Sequence, residues 1–151
     1  MATGYGRRVR RLQQDFVSGK APTAPAAWYL AASTANPGDD GAGLAEPTAT
    51  GGYVRKQLTG GAADWTAAPN PSNDAAAVAA NANIINFAVS SAAWSTGATN
   101  ITYIAIFDSA TLTAEANYIG RAILSTPQAV NSAGVTLSIA VGALTFNNTS
   151  S

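Results

Sequence analysis

The run Ile101-Thr-Tyr-Ile-Ala-Ile-Phe107 constrains the fold more than any other stretch of the chain. It is apolar on both faces of an extended backbone, so as a strand it must be covered above and below and lie centrally in a sheet. Asp108-Ser109 follows it with turn chemistry. Short segments of similar character recur along the chain. Trp28, Leu30 and Ala32 alternate with Tyr29 and Ala31, which predicts a first strand. Residues 53–59 (YVRKQLT) predict a second, with Val54 and Leu58 inward and Arg55 and Gln57 outward. Residues 76–80 are Ala-rich and read as strand because β segments surround them. Residues 83–89 place Ile85, Phe87 and Val89 on one face, with Trp94 and Gly97 in the turn beyond. Residues 118–124 form a further strand. Residues 135–141 alternate strictly, with Val135, Leu137, Ile139 and Val141 inward and Thr136 and Ser138 outward. Gly142 marks a bend, and Leu144 and Phe146 complete a last strand.

Between these segments lie loops dense in Gly, Pro, Asn and Asp, at 36–52 and again at 60–75. Six to eight short strands with no βαβ rhythm and no fixed-period repeat predict a mainly β fold, an antiparallel β-sandwich or jelly-roll-like domain. The composition agrees: 47% of residues are hydrophobic and only 11% charged, against about a quarter charged in ordinary soluble proteins. A disordered chain needs the opposite balance. With 151 residues there is enough chain for one real core.

The N-terminal segment differs in texture. Residues 5–18 predict a short helix with Val9, Leu12 and Phe16 on one side, joined by Val17, and with Gly19 as its stop. Arg7, Arg8 and Arg11 project around the other face. A helix this short is unstable alone and must dock on its own domain or on a neighbour. The charges are also segregated. Arg7, Arg8, Arg10, Arg11 and Lys20 against Asp15 give residues 1–20 a net charge of +4. Arg55, Lys56 and Arg121 against seven acids leave the remainder at −4. Such an asymmetry predicts a partner of its own for the basic segment. The expected organisation is a basic N-terminal arm and helix over 1–25, a β-sandwich over 26–147 and a polar tail over 148–151. Removing residues 1–20 is expected to leave the body folded.

Several chemistries are excluded. With no Cys and no His there are no disulfides, thiolate metal sites, His-ligated zinc sites or His-based triads. No apolar run reaches the length of a transmembrane helix, and the basic N-terminus is not followed by a signal-peptide core. The Gly-rich segments lack the Lys-Ser/Thr of a phosphate loop, and there is no G-x-S-x-G elbow. Asp39-Asp40-Gly41 with Glu46 is the densest acidic cluster, but its spacing is not that of a calcium loop and Asp40-Gly41 is ordinary turn chemistry. The four guanidiniums of Arg7, Arg8, Arg10 and Arg11 can grip carboxylates or phosphates. No aromatic residues interleave with them, so a protein surface is favoured over nucleic acid. Trp65, placed in a loop, is the best candidate for an exposed aromatic contact.

Four stretches in series carry a resemblance. They are APAAWYLAASTANPGDDGAGLAEP behind the N-terminal helix, GGYVRKQL, WSTGATNITYIAIFDSAT and the closing LSIAVGALTF. In order and spacing they resemble a family of small bacteriophage virion proteins often labelled phage tail fibre proteins, over about residues 8–146. The sequence departs from that pattern in a longer, Ala- and Asn-rich stretch over 60–83 and in its strongly basic arginine cluster. The resemblance implies a non-enzymatic structural protein of a tailed-phage virion that uses no cofactor. The compact size and the docking arm favour a capsid decoration (cement) protein, expected as a homo-oligomer, a trimer, bound to the major capsid protein or other virion proteins. The alternative is a tail or tail-fibre subunit with a host-binding role. The partner-binding residues are then Arg7, Arg8, Arg10, Arg11 and Trp65, at the capsid exterior or the tail.

Overall fold

A computed structural model describes residues 3–59, 63–66, 78–94 and 100–147. The fold is mainly β, built on antiparallel sheets with one short N-terminal helix. Its frame is a five-stranded sheet in the order β1 (Thr3–Tyr5), β7 (Tyr118–Gln128), β6 (Ile101–Phe107), β2 (Trp28–Ser33), β3 (Lys56–Leu58). As its composition demands, β6 is the central strand, paired with β2 on one side and β7 on the other. Helix α1 spans Arg7–Val17. Two further antiparallel pairs, β4 (Val78–Ala80) with β9 (Thr145–Asn147) and β5 (Ile85–Asn86) with β8 (Ser138–Ile139), belong to the second layer.

The alternation of β2 and β6 divides the core. Leu30, Ala32, Ile104 and Ile106 face the second layer and pack with Ile85, Phe87, Trp94, Val130, Leu137, Ile139 and Leu144. Ala31, Ala105, Phe107 and Tyr118 face the other way, under the 34–46 loop that lays Leu44 on them. Ser33 secures this loop: its hydroxyl donates to the Ala35 carbonyl (2.8 Å) and accepts from the Ala45 N–H (3.0 Å). In the second layer Asn81 has the same task. Fully buried, it donates to the carbonyls of Asn83 (2.7 Å) and Ala140 (2.8 Å) and accepts from the Leu144 N–H (2.8 Å). A buried amide is tolerable only when satisfied in this way.

Several local expectations need correction. The strand predicted over 53–59 is reduced to β3, and its inward and outward sides are partly exchanged: Val54 is exposed and the Arg55 side chain is buried. Tyr53 ends the pairing instead. Since β3 stops opposite Leu30, the Ala32 N–H lacks a strand partner and is taken by the Tyr53 hydroxyl (2.9 Å). The segments at 83–89 and 135–141 are strands only at their centres. Ile85, Phe87, Leu137 and Ile139 are buried, but Val89 and Val141 lie beyond the pairing and are exposed. Trp28–Ser33 is not the first strand. Thr3–Tyr5 precedes it, pairing in register with Ala122, Arg121 and Gly120. Three residues cannot display a period, so β1 owes its conformation to the open edge of β7. Residues 60–62 and 67–75 of the loop expected over 60–75, residues 76–77 of the strand expected over 76–80, the turn at Gly97 and the polar tail at 148–151 lie outside the described residues. Among the described residues, no helix is long and apolar enough to cross a membrane.

Candidate partner-binding surface

The arginine cluster begins one residue after β1, and the geometry of that junction fixes where it goes. Gly6 caps α1 in an extended conformation and donates its N–H to the Ile119 carbonyl (2.8 Å). A Cβ on Gly6 would lie 2.7 Å from Cδ1 of Tyr118, so only glycine allows the helix start to rest on that ring. The Arg7 N–H donates to the Asp39 carbonyl (3.1 Å). The first turn of α1 is thereby fixed between β7 and the 36–46 loop.

The side chains extend this docking. Arg7 approaches Glu115 (3.7 Å) and Asp40 (4.0 Å). Arg8 is ion-paired and hydrogen-bonded to Asp108, both side chains being largely buried, and Asp108 also accepts from the Asn117 amide (2.8 Å). Arg10 reaches Asp39 (3.5 Å), whose other oxygen accepts from Arg121 (2.8 Å). Arg121 and the Tyr118 hydroxyl (3.0 Å) both donate to the Gly38 carbonyl. The hydrogen bond from Arg121, helped by the charges of Arg121 and Arg10, holds the Asp39 carboxyl below its ordinary range. Burial pushes the Tyr118 phenol up to about 12. Arg11 is exposed and forms no ion pair among the described residues.

The acidic cluster at Asp39-Asp40 is thus a receptor for the chain's own arginines. Asp40 also accepts the Ala42 N–H (3.0 Å) in an Asx turn. Glu46 lies apart, where its carboxylate takes both the Arg55 guanidinium (2.9 and 2.7 Å) and the Tyr53 hydroxyl (2.7 Å). Among the described residues, no group of three acidic side chains is arranged to hold a metal ion.

Trp65 does not stand as an exposed aromatic. It is half-buried against the main core, 5.9 Å from the Trp28 ring at a tilt of 56°, and its backbone bridges to Asn81. What remains open is the far half of α1. Val9 packs on the core, but Phe16 is 72% and Val17 85% exposed, and with Leu12, Gln13 and Pro22 they line an open groove. The spacing in the sequence places these apolar residues correctly on one side of the helix. It cannot show that only the first turns reach the body. Arg55, Tyr118 and Arg121 escape a sequence reading because their importance rests on contacts with residues far away in the chain.

The family described as podophage GP4 fiber I protein gp80 matches residues 10–147. The chain belongs to this family of phage fibre proteins. No curated protein matches it. Membership makes the chain a structural component of a phage virion, and the matched range contains the whole fold except β1 and the start of α1.

Proposed function

We propose that the chain is a non-enzymatic fibre subunit in the tail of a tailed phage, assembled from several copies and joined to its neighbours through the outer face of α1. The family match across nearly the whole domain carries this reading. The exposed apolar stripe of α1 adds a surface suited to protein contact. The capsid-decoration reading has less behind it. It rests on compact size and on a basic arm that grips the capsid, and the arm's Arg7, Arg8 and Arg10 are engaged by Glu115, Asp40, Asp108 and Asp39 of the chain itself. A host-binding role through Trp65 is likewise weakened by its packing on Trp28.

The test is to add purified protein to particles that lack it and to image them by cryo-electron microscopy. Density at the tail is expected. Regular density over the capsid faces would overturn the fibre reading and restore the decoration role.

A further inference from the structure

We propose that β1 and α1 form an exchangeable arm, which in the assembled fibre docks on the body of a second copy of this chain. The receptor for the arm is already defined: the β7 edge, Ile119 and Tyr118, and the acids Asp39, Asp40, Asp108 and Glu115. Every one of these partners lies beyond the segment that joins arm to body. Each contact therefore forms equally well within one chain or between two, and exchange loses none of them. The charges make the fit selective, because an arm whose Arg7, Arg8, Arg10 and Arg11 against Asp15 give it a net charge of +3 meets an acidic receptor that it would meet again on any other copy.

The joining segment, residues 18–27, suits a hinge. It contains Pro22 and Pro25 and has no regular secondary structure, and residues 21–27 make no hydrogen bond with the described residues. Ten residues span up to about 33–36 Å when extended. That exceeds the radius of gyration of roughly 15 Å expected for a domain of this length, so an arm can reach an adjoining body. Closed on its own body, the arm leaves Leu12, Phe16, Val17 and Pro22 along an open groove. When it crosses to a neighbour, that stripe lies where the two copies meet and is covered. This gain opposes the entropy of association, while the docking contacts cancel.

The inference rests on the assembly of copies stated above, and the experiment separates the two. The chain has no cysteine of its own. Thr3 and Ala122 are directly opposed in the β1–β7 register, at a Cα separation of about 4.5–5.5 Å that a disulfide spans. Full-length protein carrying Thr3→Cys and Ala122→Cys is oxidised, sized by sedimentation and run on a non-reducing denaturing gel. Bridged species of three or more chains are expected, which neither single-cysteine variant can form. Internally bridged monomers inside a sedimenting oligomer would overturn the exchange and leave the assembly standing. Internally bridged monomers in a monomeric sample would overturn both. Should the cysteine pair prevent folding, deletion of residues 21–25 decides the matter by sedimentation. A multimer at least as large as the parent is expected, and a monomer would refute the exchange.

Discussion

Replacement of Arg55 by methionine is expected to be among the most damaging single changes outside the apolar core. Its side chain is 3% exposed. It bonds both oxygens of Glu46 and the carbonyls of Ser109 (2.9 Å) and Leu112 (3.0 Å), and its guanidinium lies 4.1 Å above the Phe107 ring. One side chain thus ties the 34–46 loop to the turn after β6 and closes the face beneath both. Methionine keeps much of the volume but leaves the Glu46 carboxylate, itself 19% exposed, without its counter-charge. Breaking a buried pair from one side costs about 3–5 kcal/mol. For a domain of this size, 1 kcal/mol shifts Tm by roughly 2–4 °C, so the expected fall is roughly 6–20 °C. Tryptophan fluorescence during thermal and urea unfolding measures it. The second half of the test is the pairing of Arg55→Met with Glu46→Gln. The amide introduced by Glu46→Gln removes the stranded charge, and its oxygen still accepts from the Tyr53 hydroxyl. The double variant should therefore be more stable than Arg55→Met alone. A loss below about 1 kcal/mol for Arg55→Met, or a double variant less stable than the single one, would refute the reasoning.

Three further outcomes are expected. Gly6→Ala should lower stability by about 1–3 kcal/mol, because the helical start tolerates alanine but the ring of Tyr118 does not; unfolding midpoints check it. Arg8→Ala should weaken the arm measurably, seen as faster amide exchange at the Gly6 N–H, whereas Arg11→Ala should change stability by less than about 0.5 kcal/mol. On pH, the depressed Asp39 carboxyl contributes stability that is present above the ordinary carboxyl value of 3.8 and lost as pH falls through the lower folded value. The raised Tyr118 phenol does the reverse: its contribution is present below 10.0 and lost as pH rises towards about 12. Asp39→Asn should remove the acid part, and phenolate absorbance should report the alkaline part.

The frame of the fold is legible in the sequence because its strongest signals are local. Ile101–Phe107 names itself as central, and Trp28–Ser33 reads as an extended neighbour, although its last four residues are buried on both faces. Both classes of error have a physical source. Period-2 reading assumes that a segment stays extended, and Val54, Val89 and Val141 lie where the chain has already left the sheet. It also assumes that a charge points to water. Arg55 breaks that rule because Glu46, nine residues earlier, lies within reach together with the Ser109 and Leu112 carbonyls. No spacing rule announces such a pair. An exposed Trp65 fails for a similar reason: its loop is polar, but Trp28 offers it a face.

The charge segregation is plain in the sequence, and its consequence depends on which body supplies the acids. A net charge of +4 over the first 20 residues and −4 over the rest establishes attraction between the two parts. It does not establish that both belong to one molecule. The structure supplies the missing specificity, since Arg8 meets Asp108 in a largely buried pair and Gly6 admits the ring of Tyr118. Such contacts select this receptor over acidic surfaces in general, which argues against an arm evolved to hold a foreign capsid. A self-complementary arm on a joint without regular secondary structure is instead the arrangement from which copies of one chain can be linked without any new binding site. The exposed Phe16 and Val17 are then the expected position of the one contact that a single copy cannot make.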